Sequence, residues 1–390
     1  MMDTLPVDGL RGTLVGRAFL PATEKCLAGP GVIVLREDGV YDLSTVVATM
    51  SGLLDLADPV ALVRQAAGWR VCSVEELLEN SLRPTPDAPH LLAPCDLQVI
   101  KAAGVTFAHS LIERVIEERA KGDPLQAEMI RGRVIDLLGG SLSSIVPGSE
   151  KARQLKALLI QQGLWSQYLE VGIGPDAEVF TKGPVLSSVG TGVKIGIHPA
   201  SNWNNPEPEI VLAVNGRGEI KGASLGNDVN LRDFEGRSAL LLSKAKDNNA
   251  SCSIGPLIRL FDDSYSLDDV RKCRVKLEVR GADGFLLNGE SSMTQISRDP
   301  LSLVSHTIGA YHQYPDGFML FLGTMFAPTQ DRGVAGSGFT HKVNDVVTIS
   351  SPLLGSLVNE VDLCDRIPPW TFGLQAFIKN LAARGLLRVS

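Results

Sequence analysis

The sequence predicts an α+β protein: a β-rich C-terminal body built on mixed sheets, preceded by a smaller α/β N-terminal domain. Three observations carry this. Val46, Val47, Met50, Leu53 and Leu54 recur at intervals of three and four within residues 43–66, which is the helical period. From about Tyr168 short alternating runs are punctuated by Gly183-Pro184, Gly190-Thr191-Gly192, Asn215-Gly216 and Asn288-Gly289, the turn chemistry that separates strands. Between these textures Pro84, Pro86 and Pro89 crowd the stretch from Arg83 to His90 and mark a linker. The expected domains are therefore 1–90 and 91–390.

In chain order, Gly31-Val32-Ile33-Val34-Leu35 followed by Arg36-Glu37-Asp38-Gly39 reads as strand and turn. Residues 43–66 read as one helix. After the linker, helical stretches are expected at 108–121, 123–138 and 150–162; the first is dense in charge, with Glu113, Arg114, Glu117, Glu118 and Arg119. Val211-Leu212-Ala213-Val214 before Asn215-Gly216 is a hairpin signal. Val275-Lys276-Leu277-Glu278-Val279 alternates as a strand with one wet face does. Residues 372–387 read as a C-terminal amphipathic helix that packs on the body or on a partner subunit.

Composition narrows the function. With 37 Lys and Arg against 44 Asp and Glu, the 390-residue chain carries a net charge of −7, which argues against nucleic-acid or membrane-surface binding. The near-apolar stretch from Phe318 to Phe326 is about half the ~20 residues a membrane span needs. Asp3 stands where a secretory leader requires basic residues. The six cysteines show no C-x-x-C spacing, so they are read as reduced thiols of a cytoplasmic protein.

The chemistry concentrates in three segments. In Pro206-Glu207-Pro208-Glu209 the prolines disfavour helix, and two acids spaced by two share one face of an extended chain. Such a pair repels unless a cation sits between its members; by itself it also fits a solvated turn. Asp228, in Asn227-Asp228-Val229-Asn230-Leu231-Arg232-Asp233, adds a third carboxylate suited to Mg²⁺, or else an Asx-turn. Lys244 and Lys246 precede Gly255-Pro256, and a lysine near an acid cluster suits a carboxylate substrate as well as an ordinary surface loop.

Together the segments resemble the fumarylacetoacetate hydrolase family, over roughly residues 90 to 365. Its E-x-E pair matches Glu207 and Glu209, its N-D-x-x-x-R-D motif matches Asn227, Asp228, Arg232 and Asp233, and its lysine nine residues before Gly-Pro matches Lys246. Asn288-Gly289-Glu290 and Gly323-Thr324 look like its N-G-E and G-T elements. The resemblance implies the family's mixed β-roll or β-sandwich fold and a homodimer or homotetramer. It also implies Mg²⁺ or Mn²⁺ on Glu207, Glu209 and Asp228, with a 2-oxo acid as substrate.

Two departures matter. Ser110 stands where the family's hydrolases carry a lid histidine, although Glu113 is kept and His109 is adjacent. Asn249 stands where many relatives carry Asp. Within the family the chain looks most like the branch that dehydrates 2-keto-3-deoxy sugar acids, such as 2-keto-3-deoxy-D-pentonate to 2-oxoglutarate semialdehyde in non-phosphorylating pentose catabolism. The alternative is a C–C hydrolase of acylpyruvates or 2,4-diketo acids, which would need a working His109–Glu113 dyad. On the dehydratase reading Glu113 is the expected proton carrier, with Ser110 and Lys246 also catalytic. Arg232, Lys246, Thr324 and Asn249 are then the residues expected to hold the substrate.

Overall fold

In a computed structural model, the structure describes residues 4–24, 26–129, 131–132, 145–161, 163, 165–326, 328–333 and 338–387, apart from the side chains of residues 108 and 109. The protein is α+β. A large sheet runs Trp69–Cys72, Gly39–Asp42, Gly29–Arg36, Leu14–Leu20, Cys252–Leu260, Ile220–Asp228, Pro208–Val214, Phe318–Phe321, Val99–Ala103 and Val179–Gly183, with His90–Leu92 paired to Leu14–Leu20. A second sheet of five strands orders Leu286–Ser292, Arg274–Arg280, Val346–Ser351, Gly355–Leu363 and Ile195–Ile197.

Pro208–Val214 explains the layering. Its apolar run from Ile210 to Val214 is buried on both faces, as a central strand must be. Ile210, Leu212 and Val214 join Val275, Leu277, Val347 and Ile349 in the core between the sheets. Val211 and Ala213 point the other way, with Ile254, Ile258 and Phe321, into a core closed by Met50, Leu53, Leu54 and Val63. The period of two along one strand therefore feeds two cores.

Expected and observed elements differ in instructive places. Residues 43–66 form two short helices, Met50–Asp55 and Pro59–Gln65. Pro59 lacks the N–H that a continuous helix needs, and Asp58 caps the second helix by accepting from the Ala61 amide at 2.8 Å. Residues 83–89 are an irregular connection, as their prolines require. The sheet nevertheless continues across position 90, because Leu14 and Val15 pair with Arg259 and Ile258 of the body. Asp96 also reaches back to cap Met50–Asp55, accepting from the Met50 and Ser51 amides at 2.6 and 3.0 Å. The helices expected at 108–121, 150–162 and 372–387 are Ala108–Arg119, Glu150–Gln161 and Leu374–Ala383. Much of the helix expected over 123–138 lies outside the described residues. Among the described residues no helix is long and apolar enough to cross a membrane.

Candidate metal centre

The acid cluster is a product of strand register. Pro208–Val214 runs antiparallel to Ile220–Asp228, with Pro208 opposite Asn227 and Glu209 opposite Gly226. This pairing sets both glutamates beside Asp228. Pro206 and Pro208 offer no N–H, so the segment is held by its neighbours: the Glu207 amide donates to Asn227 Oδ1 at 3.1 Å, and the Asp228 amide to the Glu207 carbonyl at 3.1 Å. One carboxylate oxygen from each of Glu207, Glu209 and Asp228 lies within 4.8 Å of the others, and all three residues are buried. Gly323 donates its amide to Glu209 Oε2 at 2.7 Å, and Thr324 Oγ1 stands 3.4 Å from Oε1. Gly323 has φ +105°, and a Cβ there would fall on Thr106, so glycine is required.

The electrostatics are those of an acid cluster short of positive charge. Lys246 Nζ donates to Glu207 Oε2 at 2.5 Å and to Asp228 Oδ2 at 3.0 Å. Lys182, fully buried, places Nζ 2.8 Å from Asp228 Oδ1 and also donates to the carbonyls of Val229 and Lys246. Arg114 pairs with Glu207, Glu117 and Glu235. Burial opposes the charge on Glu207, yet Lys246 and Arg114 hold its carboxyl down at about 2. Burial likewise opposes the Lys246 charge, but Asp228 and Glu207 raise its pKa above the ordinary value. Glu209 fares differently: burial, then Asp228 and Glu207, push its carboxyl well above the usual range. A divalent cation among these oxygens would relieve that repulsion. Three hard anionic oxygens suit Mg²⁺ or Mn²⁺, so the donor set fits the expected ion.

Beside the cluster is a cavity of about 10 Å³, the room of one water, lined by Ser110, Arg114, Glu178, Glu235, Lys246 and Thr324 among others. Larger hollows lie on the second sheet and beside the C-terminal segment, but they are open to solvent and do not include the carboxylate cluster. Glu178 and Glu235 were not expected here as site residues. Burial, and then Glu235, lifts the Glu178 carboxyl to about 7. Glu235 is raised too, by burial, against the opposing pull of Arg114. The missed signal was Glu178-Val179-Phe180-Thr181-Lys182: two charges four apart share one face of an extended run.

The expected site residues part company in the structure. Glu207, Glu209, Asp228, Lys246, Thr324 and Ser110 come together, with Ser110 Oγ donating to the Thr324 carbonyl. Glu113 does not line the cavity; its carboxylate is held by Arg131 and by Arg232 at 3.2 Å. Arg232 is buried behind the cavity, donating to Glu117 at 2.6 Å and to the Pro328 carbonyl at 3.3 Å, with its guanidinium 4.4 Å from the centre of the Trp203 ring. Asn249 Nδ2 donates to the carbonyls of Cys364, Ile367 and Pro368 at 3.1–3.3 Å and lines the hollow by the C-terminal segment. Arg232, Asn249 and Glu113, like Lys246, are thus paired with partners inside the protein. The His109 side chain lies outside the described residues.

No family model matches the chain. By sequence it is similar to a probable 2-keto-3-deoxyxylonate dehydratase of Haloferax volcanii, 24% identical over 326 residues, covering 84% of this chain and 93% of the relative. It is also similar to 2-dehydro-3-deoxy-D-arabinonate dehydratase of Saccharolobus solfataricus, 28% identical over 187 residues, covering 47% of this chain and 58% of the relative. Among solved structures, a 2-keto-3-deoxy-D-arabinonate dehydratase complexed with magnesium and 2,5-dioxopentanoate superposes with TM-score 0.57 at 18% identity, covering 90% of this chain and 99% of that one. A fumarylacetoacetate hydrolase from Exiguobacterium antarcticum does so with TM-score 0.52 at 16% identity, over 90% and 99%. The chain therefore has the fold of the fumarylacetoacetate hydrolase family and resembles, in sequence and in structure, its 2-keto-3-deoxy-pentonate dehydratases.

Proposed function

We propose that the protein is a divalent-metal-dependent dehydratase of 2-keto-3-deoxy sugar acids, acting on 2-keto-3-deoxy-D-pentonate to give 2-oxoglutarate semialdehyde in non-phosphorylating pentose catabolism. The observation that carries this is the buried cluster of Glu207, Glu209 and Asp228, with Lys246 and the half-buried Glu178 on the adjoining cavity. Without a bound cation, burial and Glu235 hold the Glu178 carboxyl at about 7, and a cation nearby would favour its ionised form, the form a general base needs. Mg²⁺ or Mn²⁺, held by Glu207, Glu209 and Asp228, supplies a Lewis acid for the keto and carboxylate oxygens of such a substrate.

The chain's own residues do the rest. Glu178 takes the C3 proton. Glu235, which burial keeps inclined to hold its proton, gives one to the departing C4 hydroxyl, so water leaves and a 3-ene remains; transfer of a C5 proton to C3 and of the resulting enol proton to C4 then gives the semialdehyde. Lys246, which lines the cavity together with Arg114, pairs with the substrate carboxylate, and Thr324 donates a hydrogen bond beside it. Ser110 fixes the Thr324 loop through its carbonyl. A hydrolase would need water activated by a His–Glu dyad, and Ser110 stands where the family's hydrolases carry that histidine, which favours dehydration. The reading includes a cytoplasmic homodimer or homotetramer: Leu374 and Ile378 of the C-terminal helix leave an apolar face exposed, at 46% and 48%.

The test is product analysis with Mg²⁺ and two substrates in parallel, 2-keto-3-deoxy-D-pentonate and an acylpyruvate. Semialdehyde from the first, suppressed by chelator, is expected. Pyruvate from the second, with no semialdehyde from the first, overturns the proposal.

A further inference from the structure

Glu117 lies behind the cavity, does not line it, and is 1% exposed. Both of its oxygens are committed. Oε2 accepts from Arg114 Nη1 at 2.6 Å, and Oε1 accepts from Arg232 Nε at 2.6 Å. Arg232 is itself anchored by the Trp203 ring, Glu113 and the Pro328 carbonyl, so Glu117 is an anion fixed from behind. Arg114 faces forward. Its Nη2 donates to Glu207, a member of the acid cluster, while Nη1 also stands 3.2 Å from Glu235.

Glu207 is thus contested. Arg114, Lys246 and any divalent ion all draw on one buried carboxylate. A guanidinium divides its hydrogen bonds among the anions it can reach, and in a buried site each anion removed strengthens its hold on the others. We propose that Glu117 is a positioning residue that sets the affinity of the cluster for a divalent cation, by claiming part of Arg114 and so limiting the pull of that arginine on Glu207. The inference rests on the reading of Glu207, Glu209 and Asp228 as metal ligands. It goes beyond that reading in assigning a role to an anion outside the cavity.

The probe is Mn²⁺ alone, added to metal-free full-length protein, with free Mn²⁺ followed by electron paramagnetic resonance. Wild-type protein should bind one Mn²⁺, and Glu209→Gln should not; failure of this first step refutes the metal reading itself. Given that step, Glu117→Gln should retain a cooperative melt yet bind Mn²⁺ about tenfold more weakly or worse, because the released guanidinium turns to Glu207. The double variant Arg114→Met with Glu117→Met replaces the buried pair by apolar side chains and removes the competitor. It should bind Mn²⁺ at least as tightly as wild type. A folded Glu117→Gln protein with wild-type affinity overturns the proposal, as does a double variant that binds more weakly than wild type. If Glu117→Gln does not fold, the double variant alone decides by the same comparison.

Discussion

Glu178→Gln should flatten the pH dependence of stability. The carboxyl lies at about 7 in the folded protein against an ordinary 4.5, with burial the chief cause and the neighbouring Glu235 the next. At 1.36 kcal/mol for each tenfold change in proton affinity, that difference corresponds to about 3 kcal/mol. The sign follows from the folded state binding the proton more tightly. The stabilisation is complete below pH ~4.5, where both states are protonated, and it drains away as pH rises to about 7. Urea denaturation from pH 4.5 to 8, with chelator present, should therefore reveal a loss of about 3 kcal/mol in wild type that the variant lacks, so that it appears in the difference between the two curves. Added Mg²⁺ should shrink the effect, since a nearby positive charge favours the ionised carboxylate. In turnover with Mg²⁺, kcat/KM of the wild type should rise with pH at a lower midpoint than the stability change in chelator, and the variant should lose about 10²- to 10⁴-fold in kcat. Parallel stability curves for wild type and variant would refute the argument that Glu178 is held protonated by its surroundings.

Other perturbations test neighbouring parts. Glu209→Gln should abolish activity and the rise in Tm that Mg²⁺ gives wild type, while Tm in chelator stays the same or rises, because a carboxyl crowded by burial, Asp228 and Glu207 is replaced by a neutral isostere. Gly289→Ala should cost about 1–3 kcal/mol and depress kcat together: a Cβ there would fall on the Phe326 ring, three residues beyond Gly323, and unchanged melting and turnover would mean that the loop does not rely on that contact. Asp96→Ala should cost about 3 kcal/mol in urea denaturation, since it strips a cap from Met50–Asp55 and leaves the buried Arg17, 3.6 Å away, short of an anion. A loss under 1 kcal/mol would mean that the fold does not depend on this tie.

The sequence carried the acid cluster because its logic is local. An E-x-E pair between prolines is extended, spacing by two puts both acids on one face, and the next carboxylate lies on the strand that a hairpin signal brings alongside. The β-rich body was legible for the same reason: periodicity and turn residues act over a few positions. Pro59 was equally legible as a helix breaker, and reading one helix through it neglected a local rule.

What the tertiary structure alone decided is where charges find partners. Glu113 and Arg232 lie 119 residues apart, Arg114 and Glu207 lie 93 apart, and no short-range pattern forecasts such pairs. An ionisable group taken out of water must be neutralised by whatever the fold brings near it. That necessity assigned Arg232 to Glu113 and Glu117, tied Asn249 to three carbonyls, and left Glu178 facing the cavity with its carboxyl raised. The sequence by itself determined which groups can bind an ion, because donor chemistry and strand spacing are local. Long-range packing decided which of the remaining acids has its carboxyl raised, because proton affinity depends on burial and on charges supplied from distant parts of the chain.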